Sequence, residues 1–210
     1  MHISEGYLSA AVLISGGGLA AAGTAIGLKR LDYDQIAQAG ILASAFFVAS
    51  LVHVPIGPAN IHLILNGLLG LLLGWAAFPV ILAALLLQAV FFQYGGITTL
   101  GVNTVIMAAP AVAVHYLCGP WIGRNGWRCM ASAFAGGAGA IVLAAVVMAA
   151  ALYFTDKQFF TVAATAVAIH VPIMVIEGVI TLFCVGFLKK VKPELLPHNV
   201  VQPPQSREVV

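Results

Sequence analysis

The sequence predicts an all-α fold: a polytopic membrane bundle of seven transmembrane helices, with the N-terminus outside and the C-terminus inside. Three observations carry this expectation. Of the 210 residues, 61% are hydrophobic and only 8% charged, with a mean hydropathy of +1.04; a soluble domain carries roughly 25% charged residues. Several apolar stretches approach the ~20 residues that cross a bilayer as a helix. The cations, finally, gather at alternate ends of those stretches.

The first apolar segment runs from 6 to 28 and closes on Lys29 and Arg30. The second spans 36–54. The third, 61–74, is short, as in a tilted or partly sunken helix, and the fourth covers 79–94. The fifth, 100–119, leads to Arg124 and Arg128, and the sixth covers 130–154. The seventh, 158–187, is long enough to tilt and is followed by Lys189, Lys190 and Lys192. With an odd number of spans, all these cation clusters fall on one face and only Lys157 on the other. The positive-inside bias makes that face cytoplasmic. The loops VPIGPAN (54–60) and QYGGITT (93–99) then lie outside with the N-terminus. Residues 1–190 form one transmembrane domain, and 191–210 a polar, proline-rich cytoplasmic tail.

A net charge of +2 gives no reason to expect nucleic acid as a partner. Cys118, Cys129 and Cys184 have no paired spacing, so neither a disulfide framework nor a thiolate metal site is expected. No basic stretch followed by a small-residue cleavage site precedes the first segment, so no cleavable leader is expected. The small-residue runs 15–27 and 131–140 let helices approach closely in lipid, first of all within the chain and alternatively against another membrane protein.

Polar groups inside a membrane are costly and mark function. His53, His62, Asn66 and Asn103 fall in the outer third of the bundle, close to His2 and Glu5. On a continuous third helix Asn66 lies one turn below His62, on the same face. His115 stands nearly alone at the inner end and reads as a packing histidine. His170 and Glu177, seven residues apart, read as a buried polar contact or alternatively as part of a pathway, with Pro172 loosening the helix between them.

The N-terminus supplies the chemistry. Met1 stays on when so large a residue as His2 follows it. The Met1 amine, the His2 backbone nitrogen and His2 Nδ1 then form a five- and a six-membered chelate ring. Ionising the amide requires a strongly Lewis-acidic late transition metal, Ni²⁺ or Cu²⁺ and less readily Co²⁺. Three nitrogens in a plane leave one position of a square, the geometry nitrogen ligands favour for Ni²⁺ or Cu²⁺, whereas Zn²⁺ prefers a tetrahedron. His62 or His53 is placed to fill the fourth position.

MHISEGYLS at the N-terminus resembles the M-H-I-x-[DE]-G-[FY]-L start of the CbiM/NikM substrate-capture components of energy-coupling-factor (ECF) transporters for nickel and cobalt. HVPIGPANIHLILNGLLGLLLG (53–74), FFQYGGITTLGVNTVIMAAP (91–110) and EGVIT (177–181) resemble further blocks of that family, so the likeness covers residues 1 to about 190. The resemblance implies that the extracytoplasmic N-terminus enters the bundle and holds the ion. Met1, His2 and His62 are then the ligands, and His53, Asn66, Asn103 and Glu5 line the pocket or support the ligands. The amide carbonyls of Asn66 or Asn103 are candidate acceptors for an imidazole N–H. Where cobalt-linked members carry a Ser-His-Pro-Thr-Gly type of block, this chain has NIHLILNG, which favours Ni²⁺ as substrate, with Co²⁺ the alternative.

The chain lacks the G-x-x-x-x-G-K-[ST] phosphate loop, so it is expected not to be an enzyme. Uphill import then draws on partners that the resemblance implies: a transmembrane coupling protein, two ATP-binding cassette ATPases and, in some members, a small auxiliary membrane protein. The implied location is a bacterial or archaeal cytoplasmic membrane. A membrane metalloprotease would need an H-E-x-x-H helix, which is absent. A passive membrane protein whose histidines merely satisfy one another predicts that no metal copurifies.

Overall fold

The computed structural model describes residues 2–56 and 59–196. Eight α-helices and one short hairpin follow in chain order among them. Ser9 caps α1 (Ala10–Lys29) by accepting the N–H of Val12, as a helix N-terminus requires. A single 3-10 turn leads into α2 (Ile36–Ala49). The strands β1 (His53–Ile56) and β2 (Ala59–His62) pair antiparallel, with His53 opposite His62. Then come α3 (Asn66–Leu73), α4 (Ala77–Phe92), α5 (Leu100–Ile122), α6 (Trp127–Thr155), α7 (Phe160–Ile169) and α8 (Val171–Val191).

Among the described residues, five helical stretches are long and apolar enough to cross a membrane: Ala10–Lys29, Asn66–Phe92, Leu100–Ile122, Trp127–Thr155 and Lys157–Val191. The 14 residues of α2 reach only about 21 Å at 1.5 Å per residue. The expected third and fourth segments share one of the five stretches, interrupted at Gly74. That glycine has φ 55° and ψ −123°, a conformation closed to residues with a Cβ. Its open side receives the His115 ring, 3.1 Å from where a Cβ would stand. The last segment breaks at His170, because Pro172 opens α8 and has no N–H to continue the ladder.

Two expectations need correction here. Residues 53–62 are a hairpin, not the end of one helix and the start of the next, because prolines disfavour helix at and before themselves. His62 is therefore a strand residue, Leu65 is left-handed (φ 58°), and α3 starts only at Asn66. The shared helical face of His62 and Asn66 does not exist. Nor do His170 and Glu177 bond to each other: His170 Nδ1 donates to the Ala166 carbonyl, 2.6 Å away, while Glu177 accepts backbone N–H groups of Ile64 and Leu65.

The core runs through α5, whose Ile106 and Met107 are fully buried with Leu69, Ile81 and Ile141. The 131–140 stripe packs within the chain: Gly136 faces Leu71, and Gly137 faces α8 at Glu177 and Thr181. Gly17 and Gly18 of α1 border open space. Ile14, Phe154 and Phe183 present apolar side chains outward, as a lipid-facing surface does.

The two ends of the bundle differ. At one end Arg30 donates to Tyr116 Oη (3.0 Å), Trp75 Nε1 donates to the same oxygen (3.0 Å), and Lys189 donates to the Arg124 carbonyl. His115 packs there too, its Nδ1 3.1 Å from the Gly70 carbonyl. Leu196 folds back onto an apolar cluster with Leu71, Ile122 and Val185, so the start of the expected tail is packed; residues 197–210 lie outside the described residues. At the other end the N-terminal segment, the hairpin and the 93–99 loop meet.

Candidate metal centre

Three anchors draw the segment before α1 into the bundle. Asn103, in the first turn of α5 and 2% exposed, accepts the Ile3 N–H at 2.9 Å and donates to the Ile3 carbonyl at 3.0 Å. Its side chain thus pairs with Ile3 as a neighbouring strand would, and Thr99 Oγ1 (3.2 Å) fixes its amide. Glu5 Oε1 accepts the Thr98 N–H (3.0 Å), and that contact holds its carboxyl below the usual carboxylate range. The Ser9 N–H donates to Thr155 Oγ1 at 3.3 Å.

These anchors deliver His2 to His62. His2 Nδ1 and His62 Nε2 lie 3.1 Å apart, with ring centroids separated by 4.9 Å. Each ring's other nitrogen meets an oxygen that can only accept: His2 Nε2 lies 2.9 Å from Gln88 Oε1, and His62 Nδ1 2.8 Å from the Leu63 carbonyl. Those partners assign a proton to each of the two outer nitrogens. Two lone pairs therefore face each other at His2 Nδ1 and His62 Nε2. With those tautomers both inner nitrogens present lone pairs, the form in which imidazole ligates a metal.

The electrostatics agree. Burial foremost, then the adjacent N-terminal amine and His62, push the His2 imidazole well below its ordinary value of 6.5, against the opposing bond to Gln88. His2 is thus neutral at physiological pH, the form that binds metal. At a metal–nitrogen distance of about 2.0 Å, neighbouring ligands of a square plane stand about 2.8 Å apart and opposite ligands about 4 Å. The observed 3.1 Å fits neighbouring positions. In the N-terminal chelate the fourth site is indeed next to His2 Nδ1, because the amide nitrogen lies between the amine and the imidazole.

The 93–99 loop covers this pair. Gln93 ends α4 with φ 58°, and Tyr94 stacks parallel to His62 at 6.4 Å and tilts toward His2 at 5.9 Å. Gly95 (φ 76°) lets the loop pass closely, since a Cβ there would stand 2.7 Å from Asn103 Nδ2 and 3.6 Å from His2 atoms.

The structure thus brings together His2, His62, Asn103 and Glu5. Met1 lies outside the described residues. His53 is opposite His62 in the hairpin register. Asn66 donates to the Met107 carbonyl at 3.1 Å, beneath the histidine pair. The acceptors of the imidazole N–H groups are Gln88 and Leu63, not Asn66 or Asn103 as expected. Gln88, fully buried in an apolar helix, was legible as an anomaly; Tyr94 is flagged only by the glycine pair that follows it. Among the described residues, no three His, Cys, Asp or Glu side chains converge on a metal site.

The sequence profile described as "CbiM: Cobalt uptake substrate-specific transmembrane region" matches residues 2–195. A putative metal transport protein of Haemophilus influenzae is 38% identical over 200 residues, covering 93% of this chain and 97% of its own length. The fused nickel transport protein NikMN of Rhodobacter capsulatus is 33% identical over 93% of this chain and 64% of its own length. The crystal structure of a truncated transition metal transporter superposes with a TM-score of 0.79 at 27% identity, covering 91% of this chain and 99% of that one. This chain belongs to the CbiM/NikM family of membrane components for cobalt and nickel transport.

Proposed function

We propose that this protein is the ion-capturing component of an ECF-type importer, taking Ni²⁺ into a square plane of nitrogen. The ligands are the Met1 amine, the ionised His2 amide, His2 Nδ1 and His62 Nε2. The observation that carries the reading is the approach of His2 Nδ1 to His62 Nε2 at 3.1 Å, in a pocket that the N-terminal segment enters. Asn103 holds the segment, Gln88 and Leu63 orient the rings, Tyr94 covers them, and Glu5 pins the loop.

The capture site faces outward. The chain crosses the cytoplasmic membrane of a bacterium or archaeon seven times, with α2 and α3 as short spans, the N-terminus outside and the C-terminus inside. Support comes from Arg30, Arg124 and Lys189 sharing the end of the bundle opposite the histidines, as the positive-inside bias predicts. Import requires a transmembrane coupling protein and two ATP-binding cassette ATPases, and the open small-residue face at Gly17 and Gly18 suits the coupling contact. A small auxiliary membrane protein accompanies the complex in some members of the family.

Co²⁺ is the second reading, favoured by the family's description, whereas a relative's name points to nickel. Competition of the two ions for purified protein tests the choice. Nickel displacing cobalt at equal concentration supports the proposal, and the reverse order transfers the function to cobalt. His62→Ala should bind neither ion tightly; retained binding refutes the site.

A further inference from the structure

Glu177 of α8 is 0% exposed and plays no part in the ligand set. Its Oε1 accepts the N–H groups of Ile64 (2.5 Å) and Leu65 (3.0 Å), and its Oε2 accepts Leu65 again at 3.0 Å. The Leu65 N–H is thus shared between the two carboxyl oxygens, while Ile64 bonds Oε1 alone. The Ile64 N–H shares a peptide plane with the Leu63 carbonyl, and that carbonyl receives the Nδ1 proton of His62 at 2.8 Å. A continuous path therefore runs from the imidazole through one peptide group to a buried carboxyl group.

We propose that Glu177 is a positioning residue of the metal site, acting on His62 through the 63–64 peptide. A metal-bound histidine ordinarily gives its second N–H straight to a carboxylate or carbonyl, which fixes the tautomer and raises the basicity of the ligating nitrogen. Here one peptide group stands between the two. An anion accepting the peptide N–H shifts electron density toward the carbonyl oxygen, and hydrogen bonds in series strengthen one another. The Leu63 carbonyl then holds the Nδ1 proton more firmly, and His62 Nε2 becomes the better donor to metal.

The same carboxylate supports the backbone. Leu65 has φ 58°, unusual for a leucine, and the N–H groups before α3 have no helical partner of their own. Glu177 takes two of them and fixes the turn that joins His62 to α3.

The relay rests on the capture reading, and the test separates the two. Nickel titration of full-length protein would compare wild type with Glu177→Gln. The glutamine keeps an acceptor for Ile64 but removes the charge and presents an NH₂ toward Leu65. Loss of such an outer support weakens metal binding by about 10- to 100-fold, and the absorption band of bound nickel should shift as His62 donates less. If Glu177→Gln binds within twofold of wild type with an unchanged band, Glu177 only caps α3 and the relay is wrong. Wild type that binds no nickel overturns the capture reading as well. A second measurement needs no Glu177 variant: in wild type labelled with ¹⁵N-isoleucine, the Ile64 amide (assigned with Ile64→Val) should move when nickel is added. A resonance that stays in place overturns the relay.

Discussion

Asn103→Ala is the substitution whose consequence follows most directly from the geometry. It deletes two hydrogen bonds to Ile3, at 2.9 and 3.0 Å, and leaves that residue's buried N–H and C=O without the partner they now have. A hydrogen bond contributes about 0.5–1.5 kcal/mol net, and stranding a buried polar group costs about 1–3 kcal/mol. Ile3 is 6% exposed, and the segment can pull out to find water. The loss is therefore about 2–3 kcal/mol, borne by docking of the N-terminus rather than by the helices. Since 1.4 kcal/mol is tenfold in an equilibrium constant, nickel should bind about 30- to 150-fold more weakly. Asn103→Asp keeps an acceptor for the Ile3 N–H but sets an oxygen against the Ile3 carbonyl in a buried site, so its loss should be at least as large. Competition against a coloured chelator measures both constants. Binding by Asn103→Ala within threefold of wild type would show that the segment is not held this way.

Gln88→Leu fills a similar volume but removes the oxygen that takes the His2 Nε2 proton. It should weaken nickel binding by about 10-fold or more, read in the same competition, whereas unchanged affinity would detach Gln88 from the site. Docking of the N-terminus should also respond to pH. The folded His2 lies well below 6.5, so below that value the undocked segment binds more protons and docking weakens as pH falls. Hydrogen exchange of residues 1–8, corrected for intrinsic rates, should show protection lost progressively below pH 6.5; constant protection would contradict the assignment. Gly74→Ala places a Cβ in a disfavoured conformation against the His115 ring and should cost about 1–3 kcal/mol. Gly17→Ala, which meets open space, should leave the melting temperature nearly unchanged. Equal effects of the two would refute the packing argument.

Much of the fold and half of the site could be read without coordinates, because they rest on local chemistry. The long apolar runs, the cation clusters at their ends and the Met1–His2 terminus proposed as the chelate are properties of consecutive residues. Shared depth left His62 or His53 as the neighbour of His2 and the family resemblance chose His62, whose Nε2 lies 3.1 Å from His2 Nδ1. What escaped the reading depends on distant partners. The run from His53 to Leu73 is mostly apolar, so hydropathy does not distinguish a hairpin and a left-handed Leu65 from continuous helix. Glu177 was paired with His170 by helical spacing, yet its partners are backbone amides more than a hundred residues away. An amide that clamps a backbone, as Asn103 does, has the same sequence appearance as one that supports a histidine.

The central claim is that the free N-terminus is itself the metal ligand. Elemental analysis of purified protein tests it with three forms of the chain: native, extended by two residues before Met1, and His2→Ala. The extension preserves every side chain and removes only the amine from its place. The account predicts about one nickel per native molecule at stoichiometric loading and markedly less in both altered forms. Equal nickel in the native and extended proteins would contradict it.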